Sequence, residues 1–145
     1  MKQVIVMRAL PGAGKSTRIS RDFPEAHVVS ADNFFMQGVG VDRKYVFDPS
    51  KIGDAHANCF WKFIQELQSG YHTVIVDNTN TREAEIAPYM LGAAAFGYRA
   101  KVVTLQCDPK VAAARNVHGV PEEVVLKMAE LLDKPLPPWW EHEVW

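Results

Sequence analysis

Cysteine is scarce in this 145-residue chain. Cys59 and Cys107 are the whole supply, and their separation is not a metal-ligand spacing. A disulfide scaffold and a thiolate metal centre are therefore excluded, and both thiols read as small buried apolar residues of a reducing compartment. Long hydrophobic runs are missing too. Met1-Lys2-Gln3 precedes four apolar residues, too few for a secretory signal or a membrane span, so the expectation is a cytoplasmic protein without a membrane. Neither sign of charge dominates: 16 Lys and Arg face 17 Asp and Glu, for a net charge of −1. A long electrostatic footprint for nucleic acid is thus not expected, and any such contact must come from local clusters. There is no internal repeat, and no low-complexity segment outside a proline-rich tail. The length suits one domain, residues 1–145, and is too short for two.

What the chain does contain is a phosphate-binding pattern close to its start. Val4-Ile5-Val6-Met7 reads as a buried strand, and Ala9-Leu10-Pro11-Gly12-Ala13-Gly14-Lys15-Ser16-Thr17 follows it directly. Gly12 and Gly14 let the backbone turn tightly, so that the loop Pro11-Gly12-Ala13-Gly14-Lys15-Ser16-Thr17 can wrap one anion, with the successive N–H groups from Gly12 onwards facing it. A helix starting near Gly14 adds its positive end. Lys15 then reaches the β- and γ-phosphates of ATP, and the Ser16 hydroxyl is placed for Mg²⁺. In the full pattern the first position is glycine; here it is Ala9, the smallest replacement.

Further along, apolar runs alternate with helical periodicity. Strands are expected at Val4 to Arg8, His27 to Ser30, Thr73 to Val76 and Lys101 to Gln106. Helices are expected from Gly14 to Asp22, from Asp48-Pro49 to Ser69, from a Thr81 cap to Gly97 with a kink at Pro88, from Asp108-Pro109 to Asn116, and from Pro121 onwards. Gly38 to Lys44 reads as an exposed, flexible connection, and the Pro/Trp tail from about residue 133 as extended chain over the domain. Four apolar strands alternating with helices predict an α/β three-layer sandwich, a short parallel sheet with helices on both faces. Right-handed crossovers then bring all strand carboxyl ends to one ligand-binding edge.

That edge collects the polar clusters. Asp32 lies just beyond the second strand, where a carboxylate can accept the proton of an attacking hydroxyl or cap the next turn. Asp77 ends the third strand, and fits either a metal-bound water beside Ser16 or the fixing of an acceptor loop. Arg115 precedes a glycine-containing break and suits a lid arginine over the γ-phosphate or a cation at a helix carboxyl end. Lesser candidates are Arg18, Arg43 with Lys44, His56 as a packing histidine, His118 in the lid segment, and Trp139 with Trp140 as cover for the core. No glutamine or glutamate is evidently placed to position water, which argues against a plain NTPase.

Pro-Gly-Ala-Gly-Lys-Ser-Thr, Ser30-Ala31-Asp32-Asn33, Asp77-Asn78-Thr79-Asn80 and Arg115-Asn116-Val117-His118-Gly119-Val120-Pro121, in this order and spacing, resemble the small phosphate-loop kinases of the polynucleotide 5′-hydroxyl kinase type. The likeness covers nearly the whole chain. It implies an AAA-like P-loop NTPase domain with an adenylate-kinase-like parallel sheet. It also implies an ATP- and Mg²⁺-dependent phosphotransferase, with Lys15, Asp32 and Arg115 catalytic, Ser16 on Mg²⁺ and Asp77 supporting the acceptor side. Phage polynucleotide kinases carry an arginine three residues after the catalytic aspartate, where this chain has Phe35, and their lid segment is longer and more basic. The acceptor implied is nucleic acid or another hydroxyl-bearing molecule: a hydroxymethylated base, a nucleoside or a small alcohol. A catalytically inactive nucleotide-binding module is the competing expectation.

Overall fold

A computed structural model describes residues 1–116 and 119–145. Strand β1, Gln3–Arg8, is buried at every position from Val4, as a continuous apolar run requires. It leads through the glycine loop into helix α1, Lys15–Asp22, which ends at Phe23 because Pro24 disfavours helical geometry there. Strand β2, His27–Val29, is followed by a 3₁₀ turn, Ala31–Phe35. The expected connection, Gly38 to Lys44, is exposed throughout and forms the loop of a small antiparallel hairpin, β3 Met36–Gln37 against β4 Lys44–Tyr45, with a 3₁₀ turn at Gly40–Asp42. A 3₁₀ turn at Pro49–Lys51, capped by Asp48, runs into helix α2, Ile52–Ser69.

Strand β5, Thr73–Asp77, precedes helix α3, Glu83–Ala95. Thr81 is not its cap. Arg82 takes that position without a side-chain bond, while Thr81 is buried and its carbonyl accepts from Arg8 at 3.4 Å. Pro88 sits inside α3, which continues as one helix. Strand β6, Arg99–Thr104, leads to helix α4, Pro109–Arg115, where Asp108 accepts from the Lys110 N–H at 2.8 Å. Helix α5, Glu122–Leu132, follows.

The chain ends in a strand that the sequence pattern did not predict, β7 at Glu141–Val144, parallel to β6. Side chains pair along the same edge: Arg99 with Glu141 at 2.8 Å, Lys101 with Glu143 at 3.2 Å, and Thr104 Oγ1 lies 2.7 Å from His142 Nε2. Trp140 packs on the core, but Trp139 is 79% exposed and does not cover it.

The main sheet is parallel throughout, in the order β2-β5-β1-β6-β7. Alternate residues of β1 feed two cores. Val4 and Val6 meet Ala55, Cys59, Phe63 and Leu67 of α2 and Ile86, Tyr89 and Ala93 of α3; Ile5 and Met7 meet Ile19 of α1 on the opposite face. Period-two alternation in a strand covered on both sides is what makes the three layers. A third cluster, Leu10, Ala112 and Val125, fastens the loop after β1 to α4 and α5. Crossovers leave β1 towards β2 and β5 towards β6, so the strand order reverses between β1 and β5. Their carboxyl ends form the crevice in which open α/β sheets take ligands.

Among the described residues, no helix is long and apolar enough to cross a membrane.

Candidate active site

The loop between β1 and α1 is shaped by two left-handed glycines, Gly12 at φ 82° and Gly14 at φ 92°. Gly12 has a second constraint. A Cβ there would stand 2.1 Å from the Ala112 carbonyl oxygen and 2.7 Å from the Asn116 nitrogen, so only glycine lets the loop lie against α4. Gly14 occupies the N-cap of α1, and no side chain caps that end. The backbone donors of the first turn are left for an anion. Ala9, where the pattern has glycine, is fully buried and donates its N–H to Thr79 at 3.0 Å, which seats the loop entry against the end of β5.

Lys15 is the first residue of α1 and Ser16 the second. Burial pulls the Lys15 ammonium below the ordinary lysine range, and the carboxylates of Asp77 and then Asp32 push the other way. The Ser16 hydroxyl donates to Asp77 Oδ2 at 3.1 Å. That bond joins the start of α1 to the end of β5 across the crevice.

The polar residues after β5 are structural as well as electrostatic. Asn78 accepts from the Ala31 N–H at 2.9 Å, holding the turn that carries Asp32. Asn80 adopts φ 47°, an αL conformation that asparagine tolerates, and donates to the Met7 carbonyl at 2.7 Å. Both lie in the Asp-Asn-Thr-Asn cluster whose first residue alone the sequence reading singled out. In the turn itself Ser30 is the cap, accepting from the Asp32 N–H at 3.3 Å. The Asp32 carboxylate faces the cleft, where Tyr45 donates its phenolic proton to Oδ1 at 3.3 Å. Burial first, then the Asp32 charge and this hydrogen bond, push the Tyr45 phenol up to about 12. Nothing in the spacing pointed to Tyr45.

Arg115 ends α4, is exposed and lines the same cleft. Its neighbour Asn116 donates to the carbonyls of Ala113 at 2.9 Å and Val120 at 3.1 Å and accepts from the Val120 N–H at 2.9 Å, tying the two ends of the break. Val117 and His118, the latter expected in the lid segment, lie outside the described residues.

The cleft thus formed has a volume of about 1140 Å³, and its wall includes the loop from Pro11 to Thr17, Asp32, Asp77 and Arg115. Folding brings all the principal candidates to one place. His56 is on that wall as well; expected as a packing histidine, it is exposed on the cleft side of α2. Cys107 is half-buried where full burial was expected, whereas Cys59 is buried and holds hydrogen bonds from Tyr89 and Asn78. Arg43 and Lys44 are exposed and do not line the cleft. Arg18 pairs with Asp22 at 2.6 Å, and its guanidinium lies 4.8 Å from the Trp145 ring centre.

Residues 4–135 match the AAA domain family AAA_33. The chain belongs to that family. This AAA domain is 30% identical over 136 residues to human NEDD4-binding protein 2, a match that covers 88% of the chain and 7% of the relative. The chain therefore spans less than a tenth of that protein's length. Among solved structures, a chain of the Pnkp1/Rnl/Hen1 RNA repair complex superposes with a TM-score of 0.70 at 13% identity, covering 90% of this chain and 44% of that one. A gluconokinase from Sinorhizobium meliloti gives 0.60 at 16% identity, covering 98% and 82%. The fold is that of a P-loop NTPase, and its neighbours include kinases.

Proposed function

We propose that this AAA domain transfers the γ-phosphate of ATP to a hydroxyl, with the 5′-hydroxyl of a polynucleotide as the acceptor. The observation that carries the reading is the position of Asp32. It stands on the wall of the cleft that holds the phosphate loop, close enough to act on the Lys15 ammonium. A carboxylate there faces the place where a terminal phosphate held by the loop would end.

Lys15 and the loop amides bind the β- and γ-phosphates. Asp32 accepts the proton as the acceptor oxygen bonds to the γ-phosphorus, the bridging oxygen leaves with ADP, and Arg115 stabilises the charge spread over the transferring group. Ser16 and Asp77 offer two hard oxygen donors 3.1 Å apart. That pair fits Mg²⁺, which takes few protein ligands and completes its shell with phosphates and water. When bound, the ion neutralises phosphate charge.

The test is a screen of acceptors with γ-labelled ATP: 5′-hydroxyl oligonucleotides of DNA and RNA, hydroxymethylated bases, nucleosides and small alcohols. Label on the oligonucleotides supports the full reading. Label only on a small alcohol keeps the kinase and discards the polynucleotide. ATP binding without label on any acceptor leaves a nucleotide-binding module.

A further inference from the structure

Beside Asp32 the cleft wall changes character. Tyr45 and Phe47 both line it, their ring planes 9° apart and their centroids 6.3 Å apart. Neither ring is held by chance. Phe35, 5% exposed, meets Phe47 edge-on at 5.1 Å and Tyr45 at 6.0 Å, while the Val46 N–H between them donates to the Phe35 carbonyl at 2.8 Å. The β3–β4 pairing of Met36 with Tyr45 closes the unit. A buried aromatic prop thus carries two parallel rings, and Phe47 remains 49% exposed despite its size. The Tyr45 hydroxyl meanwhile reaches Asp32.

We propose that Tyr45 and Phe47 form a stacking shelf for the base adjoining the reacting hydroxyl, with the Tyr45 phenol orienting the Asp32 carboxylate at the edge of that shelf. This rests on the kinase reading above and names what the acceptor carries. A flat π-face beside the general base suits a nucleobase of any sequence, because every base has a face to stack and none has to be read by its edge. It also suits a chain with a net charge of −1: the rings grip the base, and only local cations of the cleft wall, Arg18, Arg21 and Arg115, are there for the strand's phosphates. The phenol keeps its proton at neutral pH, so it acts as a donor to the carboxylate and does not compete for the acceptor's proton.

The test uses two 3′-labelled, 5′-hydroxyl single strands, identical except that one lacks the base of its terminal nucleotide. Binding is read by fluorescence anisotropy with a non-hydrolysable ATP analogue present, so the result does not depend on turnover. The shelf predicts that wild type binds the base-bearing strand about tenfold more tightly than the abasic one, the size of one stacking interaction. Phe47→Ala removes that difference by weakening only the base-bearing strand. Phe47→Leu, which keeps apolar bulk, separates stacking from a folding defect by losing the preference while retaining analogue affinity. Tyr45→Phe keeps the ring and the base preference but lowers kcat on the base-bearing strand about tenfold, the scale of one hydrogen bond to a charged group, with little change in acceptor KM. Equal binding of the two strands by wild type overturns the shelf. Transfer to a small alcohol together with equal binding overturns the shelf and leaves the kinase standing; a base preference without transfer to any acceptor leaves the shelf and removes the kinase.

Discussion

Ser16 and Asp77 are 61 residues apart in the chain, yet the Ser16 hydroxyl donates to the Asp77 carboxylate at 3.1 Å. The contact depends on β1 and β5 being sheet neighbours in parallel register, with Met7 beside Asp77, so that the loop leaving one strand meets the acid ending the other. Two roles for Asp77 were open from the sequence, and the function proposed above gives it the metal side beside Ser16. Asp77→Asn is expected to raise the Mg²⁺ concentration needed for half-maximal phosphotransfer by about tenfold or more while leaving the acceptor KM near its original value. An unchanged Mg²⁺ requirement with a raised acceptor KM would assign Asp77 to the acceptor instead.

Gly12 and Gly14 both have positive φ, but only Gly12 has a neighbour where a Cβ would go. Gly12→Ala should therefore combine strain with a backbone clash against α4 and lower stability by about 3 kcal/mol. Gly14→Ala should lower it by about 1 kcal/mol, from the left-handed conformation alone. Urea unfolding of the two variants, compared with wild type, measures the gap; equal losses would mean that the loop does not press on α4.

Arg8 is a charged residue 2% exposed at the end of a core strand. Its guanidinium donates to the carbonyls of Leu131 at 3.1 Å and Leu132 at 3.2 Å, which are the last residues of α5, and to Thr81 at 3.4 Å. It adds a charged donor to the last turn of α5, where the Leu131 carbonyl also accepts from the Lys134 N–H at 3.2 Å. Arg8→Met, which keeps most of the stem and removes the donors, is expected to destabilise by about 3 kcal/mol. Hydrogen exchange should show the loss concentrated in α5. Uniform loss across all elements would contradict the cap.

The Lys15 ammonium is lowered by burial and lifted by Asp77 and Asp32. A lysine with a folded pKa below its unfolded value destabilises the fold while protonated. That penalty is complete below the lowered pKa and fades as pH rises towards 10.5. For the proposed activity the sign is opposite, because that reading needs the charged form of Lys15 to hold phosphate. The alkaline limb of kcat/KM for ATP, which reports the free enzyme, should fall below the ordinary lysine range, and Asp77→Asn should move it lower still by removing a charge that favours the ammonium. An alkaline limb that does not move in the variant would separate Lys15 from Asp77.

The parts legible in the sequence were those written in local pattern. The continuous apolar runs of β1 and β5 announce strands covered on both faces, and the glycine loop with its lysine announces itself. Long-range partnerships were not legible. Strand β7 reads Glu-His-Glu-Val after a proline-rich stretch, a half-polar pattern with no apolar run, and its partners are the backbone of β6 and the side chains of Arg99, Lys101 and Thr104, some 40 residues earlier. Tyr45 was hidden for the same reason: an aromatic residue in a connection gives no sign that it will meet a carboxylate 13 residues before it. His56 looked like a packing residue because it sits next to the apolar stripe of α2, and one step around the helix was enough to put it in the cleft. Asp32 could be placed at the sheet edge by chain order, but its facing required the Ser30 cap and the Asn78 tether.

Asp32→Ala tests the account at its centre. The measurement is the single-turnover rate of label transfer from γ-labelled ATP to a 5′-hydroxyl oligonucleotide, with ATP affinity measured by calorimetry on the same preparations. Loss of the rate by about 10²-fold or more, with ATP affinity retained, is the predicted result. A rate equal to that of wild type would contradict it, since phosphate would then be reaching the acceptor without the carboxylate that the cleft sets before the loop.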